Sequence, residues 1–186
     1  MTASDVHETA ALFPPDFHWG VATSAYQIEG ALDADGRGRS IWETFSERPG
    51  AIERGETAAV ACDHYHRLDE DLALIRDLGV RSYRFSIAWP RIQPTGQGAI
   101  NRAGLAFYER LVDGLLDAGI RPFPPLSRRA LPQALEDSGG WAARDTAARF
   151  ADYTSLMLQA LGDRVPDWSL FNEPFIFSSR GYLLGR

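Results

Sequence analysis

The chain has 186 residues, a formal net charge of −6 at pH 7 and one cysteine. This length is typical of one soluble globular unit, and an acidic balance without a basic stripe argues against nucleic acid as a partner, because phosphates attract clustered Lys and Arg. Cys62 has no partner for a disulfide within the chain, so a reducing compartment is permitted, and we expect it to be a small buried residue.

The amino-terminal tail, residues 1–12, lacks the features of a secretory signal. It contains Asp5 and Glu8 and has neither a basic start nor an apolar run. No stretch of the chain approaches the length needed to span a membrane. We therefore expect a cytoplasmic protein with no membrane partner, in which residues 13–186 form one structural unit.

Four strands are predicted along the chain. The first covers 17–23, and the others follow glycines that end helical patterns and cover 80–87, 120–126 and 165–171. Strand and helix alternate with a period of about 40 residues, which implies parallel strands joined by right-handed crossovers. The pattern predicts an α/β fold, but it does not separate a doubly wound sheet from a barrel, because both use this alternation.

Three long helices are predicted between these strands. Apolar residues recur at helical spacing from Asp63 to Gly79, from Asn101 to Gly119 and from Thr146 to Gly162. We expect Asn101 to cap the second helix and the three glycines to end the helices. His64 and His66 are two residues apart on the first predicted helix and face different directions, so we expect no shared metal site.

Several motifs occur in a fixed order. Residues 17–31 read Phe-His-Trp-Gly-Val-Ala-Thr-Ser-Ala-Tyr-Gln-Ile-Glu-Gly-Ala and fill every position of the amino-terminal signature of family 1 glycoside hydrolases, the β-glucosidase family. The chain resembles that family from about Phe13 to its last residue. Further matches are Asp63-His64-Tyr65-His66, the stretch Tyr83-Arg84-Phe85-Ser86-Ile87-Ala88-Trp89-Pro90-Arg91-Ile92, Gly139-Gly140-Trp141 and Asn172-Glu173-Pro174.

The resemblance implies a (β/α)8 barrel of the TIM type, with catalytic residues at the carboxyl ends of the strands. This chain would hold roughly the first four strands, an amino-terminal half barrel. A closed barrel has no edges, whereas a half barrel exposes the free sides of its first and last strands.

Four candidate site residues follow from the resemblance. Glu173, directly after the fourth predicted strand, matches the general acid/base of a retaining glycosidase, and Asn172 matches the asparagine that holds the sugar 2-hydroxyl. Gln27 matches the residue that grips hydroxyls of the non-reducing sugar, since an amide both donates and accepts hydrogen bonds. Arg84 matches the arginine that orients the nucleophilic glutamate. No cofactor and no metal are implied.

Strand alternation gives Arg84 an interior position. It shares a face with Ser86 and Ala88, while the alternate residues would point toward the helices. An interior guanidinium requires a carboxylate partner, and the family's nucleophile is absent from these residues. Arg84 is therefore expected to pair with Glu173, with solvent or with another chain.

The chain departs from the family after the third strand. Relatives usually read Leu-Tyr-His-Trp-Asp-Leu-Pro there, whereas this chain reads Leu126-Ser127-Arg128-Arg129-Ala130-Leu131-Pro132. Two guanidinium groups at this place would oppose a neutral sugar by bulk, unless both turn outward into solvent.

Aromatic residues could stack on sugar faces, but near strands they are more often part of the core. We expect core positions for all four of Trp19, Trp89, Trp141 and Trp168.

These observations favour a retaining β-glucosidase-like enzyme acting on a β-linked glucoside or a related small sugar. Because no nucleophile is present, we expect the isolated chain to be inactive. Two alternatives stay open: a non-catalytic half barrel that binds sugar or a protein partner, and a fragment completed by self-association or by a carboxyl-terminal half on another chain.

Overall fold

A computed structural model of the chain describes residues 10–128 and 130–185. Residues 1–9, which make up most of the predicted tail, and Arg129 lie outside the described residues.

Within the described part of the chain, short parallel strands occupy four positions side by side. The strands are β1 (Gly20–Ala22), β2 (Ser82–Arg84), β3 (Arg121–Phe123), β4 (Pro125–Ser127) and β5 (Ser169–Phe171). β1 pairs with β2 and β2 with β3, while β4 pairs with β5, all in parallel. The order therefore follows the chain, as the strand-helix alternation predicts, and the described residues form no closed barrel.

The third predicted strand is divided in two by its prolines. Pro124 separates β3 from β4 and has no N–H to donate to a ladder. Its carbonyl still accepts from the Ser169 N–H at 3.4 Å, and the Pro125 carbonyl accepts from the Ile87 N–H at 3.3 Å. This segment consequently joins the sheet of β1 to β3 to the pair formed by β4 and β5.

Helices connect and cover the strands. They are α1 (Ala25–Ile28), α2 (Ile41–Ser46), α3 (Leu68–Asp77), α4 (Trp89–Ile92), α5 (Arg102–Asp117), α6 (Gln133–Glu136), α7 (Arg144–Leu161) and α8 (Pro174–Ile176), with a 3₁₀ turn at Gly140–Ala142 and a π-helix at Phe177–Leu183. The three long helices α3, α5 and α7 are those predicted from apolar spacing. The helix predicted from Asp63 begins only at Leu68, so His64 and His66 precede it.

The predicted helix ends are mostly confirmed. Gly79 and Gly119 follow α3 and α5 with φ of 67° and 70°, a left-handed conformation that favours glycine. Asn101 occupies the predicted N-cap position of α5, but its side chain makes no capping hydrogen bond. Its side-chain amide instead donates to the carbonyls of Asp35 at 2.8 Å, in a loop, and of Arg91 at 3.0 Å, in α4.

The core lies between the strands and the long helices. Trp89 is buried and stacks on Tyr153 with ring centroids 4.9 Å apart. Trp141 and Trp168 are partly buried against the same core. The expected core position of Trp19 is wrong, because 49% of the residue is exposed in a cluster with Phe13 and Phe17.

Cys62 is exposed, so the expectation of a buried cysteine is also wrong. It lies in the loop before α3, where the chain runs over the surface rather than through the core. Among the described residues, no helix has both the length and the apolar character needed to cross a membrane.

Candidate active site

Glu173 lies where β5 passes into α8. The Asn172 N–H donates to the Ser127 carbonyl at 2.9 Å and continues the pairing of β4 with β5 by one residue. Glu173 then adopts a left-handed backbone conformation with φ 50° and ψ 57°, and Pro174 begins α8. Left-handed non-glycine residues are uncommon and are concentrated at functional sites. The Glu173 side chain is exposed at the carboxyl end of the strand.

Arg84, the last residue of β2, reaches across the sheet to Asn172. Its Nη2 donates to the Asn172 Oδ1 at 2.7 Å, and the guanidinium is half-buried. The interior position expected from strand alternation is therefore observed. The expected carboxylate partner is not observed. The neutral side-chain oxygen of Asn172, the residue after β5, accepts from Arg84 instead.

Arg84 contacts the oxygen of the Asn172 amide, and the nitrogen of the same amide has no partner among the described residues. The Asn172 Nδ2 is buried and has no hydrogen-bond acceptor among the described residues. A buried amide N–H without an acceptor costs about 1–3 kcal/mol. The free donor of this amide suits the oxygen of a sugar hydroxyl.

Gln27 lies on α1, at the carboxyl end of β1. The start of this helix is anchored to the segment after β2, because the Ala25 N–H donates to the Ser86 Oγ at 2.8 Å. The Gln27 side chain is exposed and lines an open cleft of about 480 Å³. Asn172 and Glu173 are not among the residues that line this cleft, whereas Arg84 and Asn172 are in direct contact.

Arg128 does not turn outward into solvent. It is half-buried, it lines the same cleft as Gln27, and its Nη1 donates to the Thr23 carbonyl at 3.2 Å. The prediction for Arg129 lies outside the described residues. Ala130 is buried.

A buried ionic network, which motif matching alone did not single out, supports α1. Glu29 lies 3.0 Å from the Nε of Arg91 and accepts a 2.5 Å hydrogen bond from the Tyr108 hydroxyl. The Arg91 guanidinium also donates to the Gly30 carbonyl at 3.2 Å and covers the Tyr65 ring at 4.1 Å. Burial, and then the charge of Glu29, raise the pKa of Tyr108 well above its ordinary value. The sequence feature that indicated this network was Glu29 itself, a carboxylate inside the long amino-terminal signature.

The histidines take separate partners. His64 is buried and lies 2.5 Å from the Asp71 carboxylate, while the exposed His66 lies 2.6 Å from Asp63. In the described ranges, no group of three or more His, Cys, Asp and Glu residues could hold a metal ion.

Comparison with known proteins gives one consistent result. The model of the family described as "Glycosyl hydrolase family 1" matches residues 9–186. Beta-glucosidase A of Acetivibrio thermocellus is 53% identical over 173 residues, which are 93% of this chain and 39% of that protein. Thermostable beta-glucosidase B of Thermobispora bispora is 57% identical over 164 residues, which are 88% of this chain and 34% of that protein.

The solved structures agree. The family 1 β-glucosidase from Thermotoga maritima superposes with a TM-score of 0.91 at 51% identity, covering 93% of this chain and 39% of that one. Its family forms TIM barrels, and the chain matches only a part of one. The chain thus spans about two-fifths of the length of the curated relatives it matches.

Proposed function

Because the chain belongs to glycosyl hydrolase family 1, we propose that it supplies the acid/base part of a retaining β-glucosidase. The Thermotoga maritima relative has been solved in complex with cyclophellitol and with deoxynojirimycin, both glucoside-like inhibitors. A small β-linked glucoside is accordingly the substrate we infer for this chain.

The observation that carries the proposal is the unmatched donor on Asn172. Its Nδ2 is buried with no acceptor among the described residues, and its Oδ1 is occupied by Arg84 at 2.7 Å. Next to it, Glu173 is held in a left-handed conformation at a strand end. A sugar 2-hydroxyl at this place would satisfy the Asn172 donor and bring the adjacent glycosidic bond near the Glu173 carboxyl.

The proposed reaction has two steps. In the first, Glu173 gives its proton to the glycosidic oxygen, the aglycone leaves as an alcohol, and a second carboxylate forms an ester with the sugar. In the second, water attacks the sugar carbon of that ester while Glu173 takes a proton from the water. The second carboxylate is released, and Glu173 is protonated again. Retention requires the two carboxyl groups to lie about 5–5.5 Å apart.

We infer that the second carboxylate comes from polypeptide outside these 186 residues. Relatives are more than twice as long as the matched region, and Arg84 is placed at the site with a neutral amide as its partner. When a nucleophile is present, the guanidinium of Arg84 could donate to it as well as to Asn172, and so orient both groups. The 186-residue chain alone would then show no more than trace hydrolysis.

The test is hydrolysis of an aryl β-glucoside by the chain alone and after mixing with the remaining carboxyl-terminal part of the Thermotoga maritima relative. We expect hydrolysis only in the mixture. Glu173→Gln should reduce it, most strongly on substrates with poor leaving groups, which depend most on proton donation. Glu47, directly after α2, has an exposed carboxylate, and Glu47→Gln is the matched control. Robust hydrolysis by the chain alone, or an unaffected Glu173→Gln mixture, would contradict the proposal.

The alternative of a non-catalytic sugar-binding module makes a different prediction in the same assay. Such a module would bind glucose in the mixture without cleaving any glucoside, and Glu173→Gln would change nothing.

A further inference from the structure

The helical segment that follows Glu173 is held near its far end by Tyr182. The segment comprises α8 and the π-helix and is helical from Pro174 to Leu183. Glu173 belongs to its first turn, since the Glu173 carbonyl accepts from the Ile176 N–H at 2.9 Å. A shift of the segment would therefore move the backbone of Glu173 with it.

Tyr182 makes two hydrogen bonds to residues that follow β4. Its hydroxyl donates to the Glu136 carboxylate at 2.7 Å and accepts from the Trp141 N–H at 2.8 Å. Glu136 is the last residue of α6, and Trp141 lies in the 3₁₀ turn Gly140–Ala142. Burial, and then the bond to Glu136, raise the pKa of Tyr182 to about 12. The hydroxyl therefore keeps the proton that it donates at neutral pH, and it serves as donor and acceptor at once.

Gly140 leaves the space for this contact. A Cβ added to Gly140 would lie 2.1 Å from the Tyr182 hydroxyl oxygen and 2.3 Å from Oε2 of Glu136. The glycine has a left-handed backbone with φ 55°. Its carbonyl accepts from the Thr146 hydroxyl at 2.5 Å, near the start of α7. The turn is thus fixed to a long helix and has room for the Tyr182 hydroxyl only because residue 140 lacks a side chain.

Aromatic rings form the base on which the segment lies. The Trp141 ring stacks on Phe177 with ring centroids 5.8 Å apart and meets Phe171 edge-on at 5.4 Å. These two phenylalanines precede and follow Glu173 in the chain. Hydrogen bonds depend more sharply on direction than ring contacts do, so the bonds of Tyr182 define how the segment is oriented on this base.

We propose that Tyr182 is a positioning residue that sets the direction of the Glu173 carboxyl toward the glycosidic oxygen. It does so by holding the segment after Glu173 against Glu136 and Trp141. A displacement of about 1 Å at a reacting group is enough to slow catalysis strongly. The inference rests on the proposed function for the role of Glu173, but its first test needs no catalysis.

The first test measures amide hydrogen exchange by mass spectrometry in the 186-residue chain. In Tyr182→Phe, the peptides that contain Trp141 and residues 174–184 should exchange about two- to tenfold faster, the factor for one lost hydrogen bond. Unchanged exchange over α7 shows that the fold is retained. Ser178→Ala is the matched control, because it removes from the same segment a hydroxyl that donates to the Pro174 carbonyl. Exchange in Tyr182→Phe equal to that of the control would overturn the inference.

The second test measures kcat/KM, which reports the first reaction step, in the mixture with the complementing carboxyl-terminal part. Tyr182→Phe should lower kcat/KM about tenfold for an aryl glucoside with a poor leaving group. It should change kcat/KM little for one with a good leaving group, because only the first substrate needs the proton of Glu173. Glu136→Gln keeps an oxygen acceptor for the Tyr182 hydroxyl and should retain most of the rate.

The two substrates separate positioning from stability alone. A complex that is merely less stable would lose kcat/KM equally on both substrates, and equal losses in Tyr182→Phe would overturn the inference. That result, together with an effective Glu173→Gln variant, leaves the proposed function standing. Hydrolysis that is unaffected by Glu173→Gln would instead overturn the proposed function, and the role of Tyr182 with it.

Discussion

Glu29 and Arg91 form a buried ion pair that ties together segments distant in sequence. Both side chains are almost completely buried from solvent, and the Tyr108 hydroxyl donates a hydrogen bond to the Glu29 carboxylate. A buried pair contributes little net stability relative to apolar residues, but removing one partner leaves an uncompensated charge inside the protein. The pair therefore matters for holding α1, which carries Gln27, against the segment after β2.

We expect Glu29→Gln to lower the free energy of unfolding by about 3–5 kcal/mol, because Arg91 would remain buried without its counter-ion. Urea denaturation at pH 7 measures this change. Glu47→Gln is the matched control, since the Glu47–Arg39 pair is exposed on both sides and such pairs contribute less than about 1 kcal/mol. A loss for Glu29→Gln no larger than that of the control would show that water reaches Arg91.

Buried tyrosines make stability sensitive to alkaline pH. Burial raises the pKa of Tyr83 to about 12, from an ordinary value of 10.0. A group whose pKa is raised in the folded state contributes stability that is present below pH 10 and is lost as the pH rises toward 12. The sign follows because the unfolded chain releases this proton first.

The free energy of unfolding should fall by about 1.4 kcal/mol per pH unit between pH 10 and 12 for each such tyrosine. Tyr83→Phe should make this decline shallower by that amount while leaving the curve flat between pH 7 and 9. Denaturant titrations at a series of pH values provide the measurement. An unchanged slope in Tyr83→Phe would mean that the phenol ionises equally in the folded and unfolded chains.

Helix α5 contains two glycines with different surroundings. A Cβ added at Gly104 would lie 2.0 Å from the Arg91 carbonyl oxygen, which belongs to the backbone. A Cβ added at Gly114 would lie 2.4 Å from the Leu72 Cδ1, the end of a flexible side chain. The first glycine allows α5 to approach α4 closely, whereas the second faces a neighbour that can rotate.

Alanine substitution at each glycine should separate these two effects. Both replacements gain about 1 kcal/mol of helix propensity, but only Gly104→Ala forces the backbones apart. We expect Gly104→Ala to destabilise the protein by about 1–3 kcal/mol, the usual cost of overpacking, and Gly114→Ala to be nearly neutral. Thermal unfolding of the two variants gives the comparison, and equal melting temperatures would contradict it.

As a whole, the described structure leaves both ends of its strand array open. β1 pairs only with β2, and β5 pairs only with β4, among the described residues. Leu170, in β5, is 53% exposed. Parallel strands are normally covered on both faces, and unpaired edges template association. We infer that the chain does not persist as a compact monomer.

Light scattering at micromolar concentration should therefore show self-association of the chain alone. Addition of a complementing carboxyl-terminal part should replace these assemblies with a complex that holds one copy of each chain. Leu170→Glu should weaken the association, because it places a charge at the open strand. Leu12→Glu is the control, at a residue that is 82% exposed but lies outside the strands. A clean monomer with a cooperative thermal transition in the unmodified chain would contradict this prediction.

The sequence by itself determined the features that depend on neighbouring residues. Apolar periodicity located α3, α5 and α7, and the glycines at 79 and 119 marked helix ends, because helix formation and termination are governed by contacts within a few residues. The long signature and the Asn172-Glu173 motif identified the family, since so many joint matches rarely arise without common ancestry.

Only the tertiary structure decided which partners distant residues take. Asn172 rather than a carboxylate accepts from Arg84, and the Asn101 side chain at the start of α5 donates to Asp35 and to Arg91 of α4 instead of to its own helix. Trp19 directly precedes β1 and stays 49% exposed although it contacts Phe13 and Phe17. Such outcomes depend on the spatial arrangement of segments far apart in sequence, and one-dimensional patterns carry no information about which polar or apolar group meets another across the fold.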